Sequence, residues 1–219
     1  MRLGIRLLFA FFLINGIAAF FVLRVFTAEI KPSVREVMED MMVDTANLLA
    51  ELASDDLAAG RLAQGDTDSA FARHVRNYVR RPIDAGIWGF AKQSLDYRIY
   101  VTDATGRVLF DSQGQAVGQD FSQWRDVART LRGEYGARMT REVPSDDTSG
   151  VMHVAAPVLV QGRILGVLTV AKPVRTVQRS IDRAERKVLM GGLVLLLLSA
   201  AVGVAVTLWM VWNVRRLRD

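Results

Sequence analysis

The chain has 219 residues, about half of them hydrophobic (51%), a formal net charge of +5 and no cysteine. That length holds one large or two small domains, and the missing thiols exclude disulfides, thiol nucleophiles and Cys-type zinc or iron–sulfur sites. The basic excess would suit nucleic acid, but much of it flanks two apolar runs, where it serves topology and lipid headgroups, so nucleic acid is not an expected partner.

Leu7 to Leu23 carries no charge and lies between Arg6 and Arg24. It is slightly short of the roughly 20 apolar residues that a bilayer core demands. Arg24 can snorkel while Val25, Phe26 and Ala28 complete the span, so residues 1–6 are expected in the cytoplasm and 7–28 in a first transmembrane helix. A cleaved signal peptide is the competing reading, and the small-residue sites at Gly16-Ile17-Ala18 and Phe26-Thr27-Ala28 fit cleavage poorly. Near the other end, Val188 to Val214 is a longer uncharged run and reads as a second span, 188–214. Arg2 and Arg6 before the first span, and Arg215, Arg216 and Arg218 after the second, put both termini in the cytoplasm. Residues 29–187 are then outside, which in a bacterium with its inner membrane crossed twice means the periplasm.

In the outer segment, 32–57 has helical spacing. Val34, Met38, Met41, Thr45, Leu48 and Leu52 recur at steps of four and three and predict one apolar stripe, suited to the domain's own sheet, to a dimer seam, or to both. Asp55 to Asp68 reads as a loop or broken helix. Ser69 to Arg80 reads as a short helix stopped before Pro82. Ile83 to Ser94 is ambiguous, with Trp88 and Phe90 expected to be buried. Tyr97, Ile99 and Val101 alternate with Arg98, Tyr100 and Thr102 as in a half-buried strand. Asp103-Ala104-Thr105-Gly106 is a turn, and Val108 and Phe110 begin the returning strand. Helical spacing covers Phe121, Trp124, Val127 and Leu131. Tyr135 to Val143 predicts a third strand, Val151 to Val160 a fourth and Ile164 to Lys172 a fifth, the last two joined at Gln161-Gly162. The expected fold is α+β, with a five-stranded antiparallel sheet over 97–172. After Pro173, Val174, Val177, Ile181, Ala184 and Val188 keep helical spacing through a signalling helix, 173–187, into the second span.

This order of elements, with "YVTDATGRVLFDS" and "HVAAPVLVQGRILGVLTVAKP", resembles the PDC (Cache-type, PAS-like) sensor domain of bacterial sensor histidine kinases. "KPSVREVMEDMMVDTANLLAELASDDL", "VGQDFSQWRDVARTLRGEYGARMT" and "VMHVAAPV" resemble, more narrowly, the CreC-type kinases of the carbon-source-responsive two-component system. The likeness runs over nearly the whole chain and is weakest around Ala63 to Leu95. It implies a homodimeric input module at the membrane, whose cytoplasmic portion uses ATP and Mg to autophosphorylate a histidine and then phosphorylates a response regulator of the CreB type. "WNVRRLRD" resembles the start of a HAMP linker, expected at 215–219. Residues 1–219 contain no phosphoacceptor helix, Asn box or ATP lid, and His74 and His153 are both in the outer domain. No catalytic residue and no cofactor are therefore expected in this chain. A membrane-anchored periplasmic binding or scaffold protein, or the input domain of a chemoreceptor or cyclase, are the alternatives.

Asp103 and Asp111 lie at strand ends, where turn chemistry explains them, and no base completes a catalytic pair. Asp146 and Asp147 share a loop with Thr148 and Ser149 but match no calcium-loop pattern, and no metal site is expected. Strand parity puts Arg98, Tyr100 and Thr102 on one face. With the PAS-like strand order that the resemblance implies, Thr169, His153, Arg138 and Thr140 join them in a polar, partly cationic pocket for a small ligand of anionic character. Solvated arginines and a satisfied buried histidine are the ordinary alternative. Arg80 and Arg81 are a lesser cationic candidate. Inside the bilayer, Ser199, Gly203 and Thr207, with Gly16 and Ala19, are candidates for span-to-span packing.

Overall fold

The computed structural model describes residues 2–25, 31–62, 69–87, 90–141, 143–146 and 149–216. The chain divides into two compact units, Met1–Arg35 with Val177–Asp219, and Glu36–Thr176.

In the first unit, helix α1 (Arg2–Val25) accompanies helix α5 (Arg175–Arg216) from Val177 onward. Arg186–Trp209 is long and apolar enough to cross a membrane, while the apolar stretch Phe9–Val25 is shorter. Among the described residues only that one helix meets the spanning length. Gly203 meets Phe11, whose ring would lie 3.3 Å from a Cβ added there, whereas Gly16 faces open space.

The second unit is α+β. Its elements are α2 (Lys31–Ala58, entering from the other unit), α3 (Ala70–Arg80), a small hairpin β1 (Ala85–Ile87) and β2 (Phe90–Lys92), then β3 (Arg98–Asp103), β4 (Val108–Asp111), α4 (Arg125–Leu131), β5 (Gly136–Arg141), β6 (Gly150–Val160) and β7 (Arg163–Pro173). The five long strands form one antiparallel sheet in the order β4-β3-β7-β6-β5. Gln161 and Gly162, at φ 49° and 76°, make the tight turn between β6 and β7. The stretch left ambiguous in the sequence is the β1–β2 hairpin; Trp88, expected to be buried there, lies outside the described residues, as does the side chain of Phe90.

Register sorts the side chains. Tyr100 pairs with Thr169, Thr169 with Ala155, and Ala155 with Gly136; one row along, Arg98, Ala171, His153 and Arg138 align. This face is covered by α4 and the segment before it, through a core of Tyr100, Val108, Ala116, Phe121, Val127, Ala155 and Val167. The opposite face carries Ile99, Val101, Leu168 and Val170 under α2 and α3, where Phe71 of α3 meets Phe110 edge-on at 5.9 Å.

Three sequence expectations change. The strand expected to be half-buried over Tyr97 to Thr102 is buried on both faces from Ile99 to Thr102, because helices cover the sheet on either side. The helix read over Phe121 to Leu131 starts only at Arg125, because Phe121 and Trp124 stack on each other, centroids 3.5 Å apart, and Trp124 stays extended as the N-cap. The apolar stripe of α2 splits. Its packed face is Met38, Met42, Ala46, Ala50 and Ala53, all buried, while Met41, Leu48 and Leu52 are more than 60% exposed. Alanine lets the helix lie close to its neighbours, so the larger residues are left outward.

Helix α4 has seven residues, too few to be stable alone, and its seat depends on Gly136. A Cβ there would fall 2.1 Å from the Asp126 carbonyl oxygen and 2.2 Å from Thr130 Oγ1. Gly136→Ala is expected to destabilise the domain by at least about 2 kcal/mol through overpacking. Gly86→Ala, at a position with open space, should change stability by less than about 1 kcal/mol. Denaturant midpoints of the two variants make the comparison.

Candidate functional site

The polar cluster on the α4 face is organised around Asp126, which is fully buried. Its Oδ1 accepts a hydrogen bond from Arg138 Nε at 2.6 Å. Its Oδ2 accepts from the Tyr100 hydroxyl in a short bond, and from Thr169 Oγ1 at 3.3 Å. Strands β3, β5 and β7 thus each send one donor to a carboxylate that α4 delivers, and Thr130 Oγ1 donates to the Asp126 carbonyl at 2.8 Å to fix the turn beneath it. The Arg138 guanidinium lies against Trp124, whose ring centre is 4.0 Å from Cζ.

His153 extends the cluster along β6. Arg138 Nη2 donates to His153 Nδ1 at 3.3 Å, and an arginine can only donate, so Nδ1 is the acceptor. The neutral ring then carries its proton on Nε2 and donates to Thr140 Oγ1 at 2.9 Å. Burial pushes the His153 pKa down from 6.5 to about 4; the positive charges of Arg138 and Arg98 add to this, against a smaller opposite effect of Asp126. Burial, with the Asp126 carboxylate beside it, raises the Tyr100 pKa and keeps the phenol a donor.

Of the seven residues expected to share a pocket, Tyr100, Arg138, Thr140, His153 and Thr169 meet in this network. Arg98 is on the same face but turns to Asp111, donating from Nε at 3.0 Å and Nη2 at 2.8 Å. Thr102 is buried on the same strand, and its hydroxyl has no hydrogen-bond partner among the described residues. Neither Arg98 nor Arg138 is simply solvated. Sequence reasoning missed Asp126; its only signal was its place in the helical stretch, beside Val127 and four residues before Thr130, both of which pack inward.

Asp111 is more than a turn residue. Burial would raise its pKa, but Arg98 and the N–H groups of Ala116 and Gln113 outweigh this and hold it low. Asp103 Oδ1 accepts from Thr105 N, Thr105 Oγ1 and Arg107 N, so it shapes the β3–β4 turn. Among the described residues no group of three metal-binding side chains occurs; Asp147 and Thr148 lie outside them. Of the seam residues, Met38 and Val174 are buried in the domain, Met41, Leu48 and Leu52 are exposed, and Val188 is half-buried in the other unit. The side chains of Val34, Val177, Ile181 and Ala184 lie outside the described residues.

No protein-family model matches the chain. It is 45% identical over 217 residues to Sensor protein CreC of Escherichia coli (strain K12), an alignment that takes in 99% of this chain and 45% of that protein. The chain therefore spans less than half the length of this relative. Among solved structures it is similar to the sensor domain of the V. cholerae histidine kinase DctB, with a TM-score of 0.47 and 16% identity over 72% of this chain and 55% of that one. It is also similar to the sensor domain of E. coli DcuS, with a TM-score of 0.44 and 20% identity over 67% of this chain and 98% of that one.

The low pKa of His153 sets a pH dependence. The unfolded chain takes a proton near pH 6.5 and the folded chain only near pH 4. The contribution of His153 is thus complete above pH 6.5, falls as pH drops through that window, and is lost below about 4, by roughly 3 kcal/mol in total. Thermal unfolding between pH 7 and 4.5 should show this loss, and His153→Gln should flatten it. An equally steep loss in the variant would assign the effect elsewhere.

Proposed function

We propose that the chain is the signal-receiving input module of a CreC-type inner-membrane sensor histidine kinase. The observation that carries this reading is the 45% identity to Sensor protein CreC over 99% of the chain. Residues 29–187 sense a ligand or an envelope or metabolic state in the periplasm. The cytoplasmic portion, with its ATP and Mg, phosphorylates a response regulator of the CreB type. The chain crosses the membrane twice, at 7–28 and 188–214, with both termini inside. The hydropathy of Arg186–Trp209 supports the second crossing, and the arginines at either end support the orientation.

The receptor surface in this reading is the cluster of Tyr100, Arg138, Thr140, His153 and Thr169, with Arg98 and Thr102 at its margin, and its ligand is a small anion. The output element is α5, an unbroken helix of 42 residues, about 63 Å long at 1.5 Å per residue. It leaves β7 after Pro173 with no glycine before the apolar run, so a shift at its outer end is not absorbed by a hinge.

The module works as a homodimer. Val37, Met41, Leu48 and Leu52 form an exposed apolar ridge on α2, 54–64% accessible, and their spacing of four, seven and four suits pairing with a second copy.

Two experiments test this. Joined to the cytoplasmic portion of E. coli Sensor protein CreC, the chain should support phosphotransfer to a CreB-type regulator. Ser180→Pro within α5 should remove at least fivefold of the difference between induced and uninduced output. A chimera whose output never varies, or ignores the proline, would overturn the reading. Separately, Met41→Asp with Leu48→Asp should convert a dimer to a monomer in light-scattering measurements on detergent-solubilised protein while leaving the melting temperature nearly unchanged. An unaltered mass would remove α2 from the interface.

A further inference from the structure

Resting on the sensor reading above, we infer that Asp126 is a built-in surrogate ligand. Its carboxylate fills a carboxylate subsite formed by Arg138 Nε, the Tyr100 hydroxyl and Thr169 Oγ1, and a small carboxylate from outside acts by taking its place and releasing α4. The donor set is what a free carboxylate requires: one charged N–H to the first oxygen, at 2.6 Å, and two hydroxyls to the second. All of it comes from the sheet, whereas the carboxylate comes from a seven-residue helix. The receiving half is therefore held by strands of one sheet, and the supplied half by the shortest helix among the described residues.

Exchange is balanced in charge. With His153 neutral, the buried site holds one cation and one anion, and an incoming carboxylate restores that pairing once Asp126 has gone to water. An approach also exists. A cavity of about 280 Å³ opens beside Arg138, lined by Arg125, Arg129, Tyr135 and Met152 as well as Glu39. The Tyr135 hydroxyl binds Glu39, and Arg129 binds Glu134 at 3.1 Å. An anion arriving there meets Arg125 and the 16% of the Arg138 side chain that reaches solvent. Trp124, the residue before α4, lies over the guanidinium, so the exchange moves the start of α4 together with its indole.

The test uses the intact chain in nanodiscs at pH 7.5, with sodium acetate, formate or propionate as probe and sodium chloride at matched ionic strength as reference. Asp126→Ala leaves the three donors facing a carboxylate-sized gap. Its melting temperature should rise saturably with acetate, at an apparent Kd at least tenfold below that of the unsubstituted chain, and chloride should have no such effect. Adding Arg138→Gln should abolish the response. If Asp126→Ala does not fold alone, recovery of its native circular dichroism by acetate is the same result. Asp126→Asn keeps the shape of the side chain but leaves Arg138 uncompensated, and it too should bind acetate more tightly than the unsubstituted chain. Asp126 is only a structural residue if neither variant responds to acetate more than the unsubstituted chain does, or if acetate fails to recover an unfolded Asp126→Ala while Asp126→Asn stays indifferent. Binding is read on this chain alone, so loss of the kinase reading shows in phosphotransfer and not here.

Discussion

A carboxylate with no access to water must be matched by charge and by hydrogen bonds, and the buried Asp126 imposes that condition on the α4 face of the sheet. Removing one partner of a buried ion pair costs about 3–5 kcal/mol, because the other charge is left uncompensated. Tyr100, Thr169 and Arg138 come from three different strands, so the condition is met only when the strands are in their observed register. A slip of one residue in any of these strands would turn its donor to the other face. The carboxylate thus fixes α4 on the sheet, and it also makes the pairing of β3, β7, β6 and β5 all-or-none on this side.

Among the described residues the same device occurs three times. Asp56, Asp111 and Asp126 are each buried, and each takes an arginine: Arg61 at 2.7 Å, Arg98 at 2.8 Å and Arg138 at 2.6 Å. Each pair fastens a segment that has little regular structure to hold it. Asp56, near the end of α2, accepts from Ser69 Oγ and Phe71 N and so caps the start of α3. Asp111 accepts from the N–H groups of Gln113, Gln115 and Ala116 and closes the loop after β4. Asp126 seats α4. The arginine is more covered from the first pair to the last, 41%, 25% and 16% exposed, and the third pair has the least help from water.

The strands were legible because side chains alternate between the two faces of a pleat, as from Tyr97 to Thr102, and because Gln161-Gly162 marks a hairpin; that the first of these strands is covered on both faces and not on one was not legible. The face shared by Tyr100, Arg138, His153 and Thr169 followed from the same parity, given the strand order that the resemblance implied. What filled that face was not legible. Asp126 is one acidic residue in a stretch whose apolar spacing already reads as a helix, and nothing local distinguishes a carboxylate that points inward from one in solvent. The inner face of α2 was hidden for a related reason. Its contacts are made by Ala46, Ala50 and Ala53, which carry little hydrophobic signal, so the eye goes to Met41, Leu48 and Leu52, which the fold leaves outside.

Trp124 gives the chain an optical property. Of four tryptophans, Trp209 and Trp212 lie on the apolar part of α5, well exposed, while Trp124 is pressed between the Phe121 ring and the Arg138 guanidinium. An indole against a cation and an aromatic ring differs in emission and in ring-current shift from one in water or lipid. The start of α4 therefore carries its own spectroscopic label. Its seated and lifted states are distinguishable by fluorescence or by the indole N–H resonance, with no dye attached and no residue replaced.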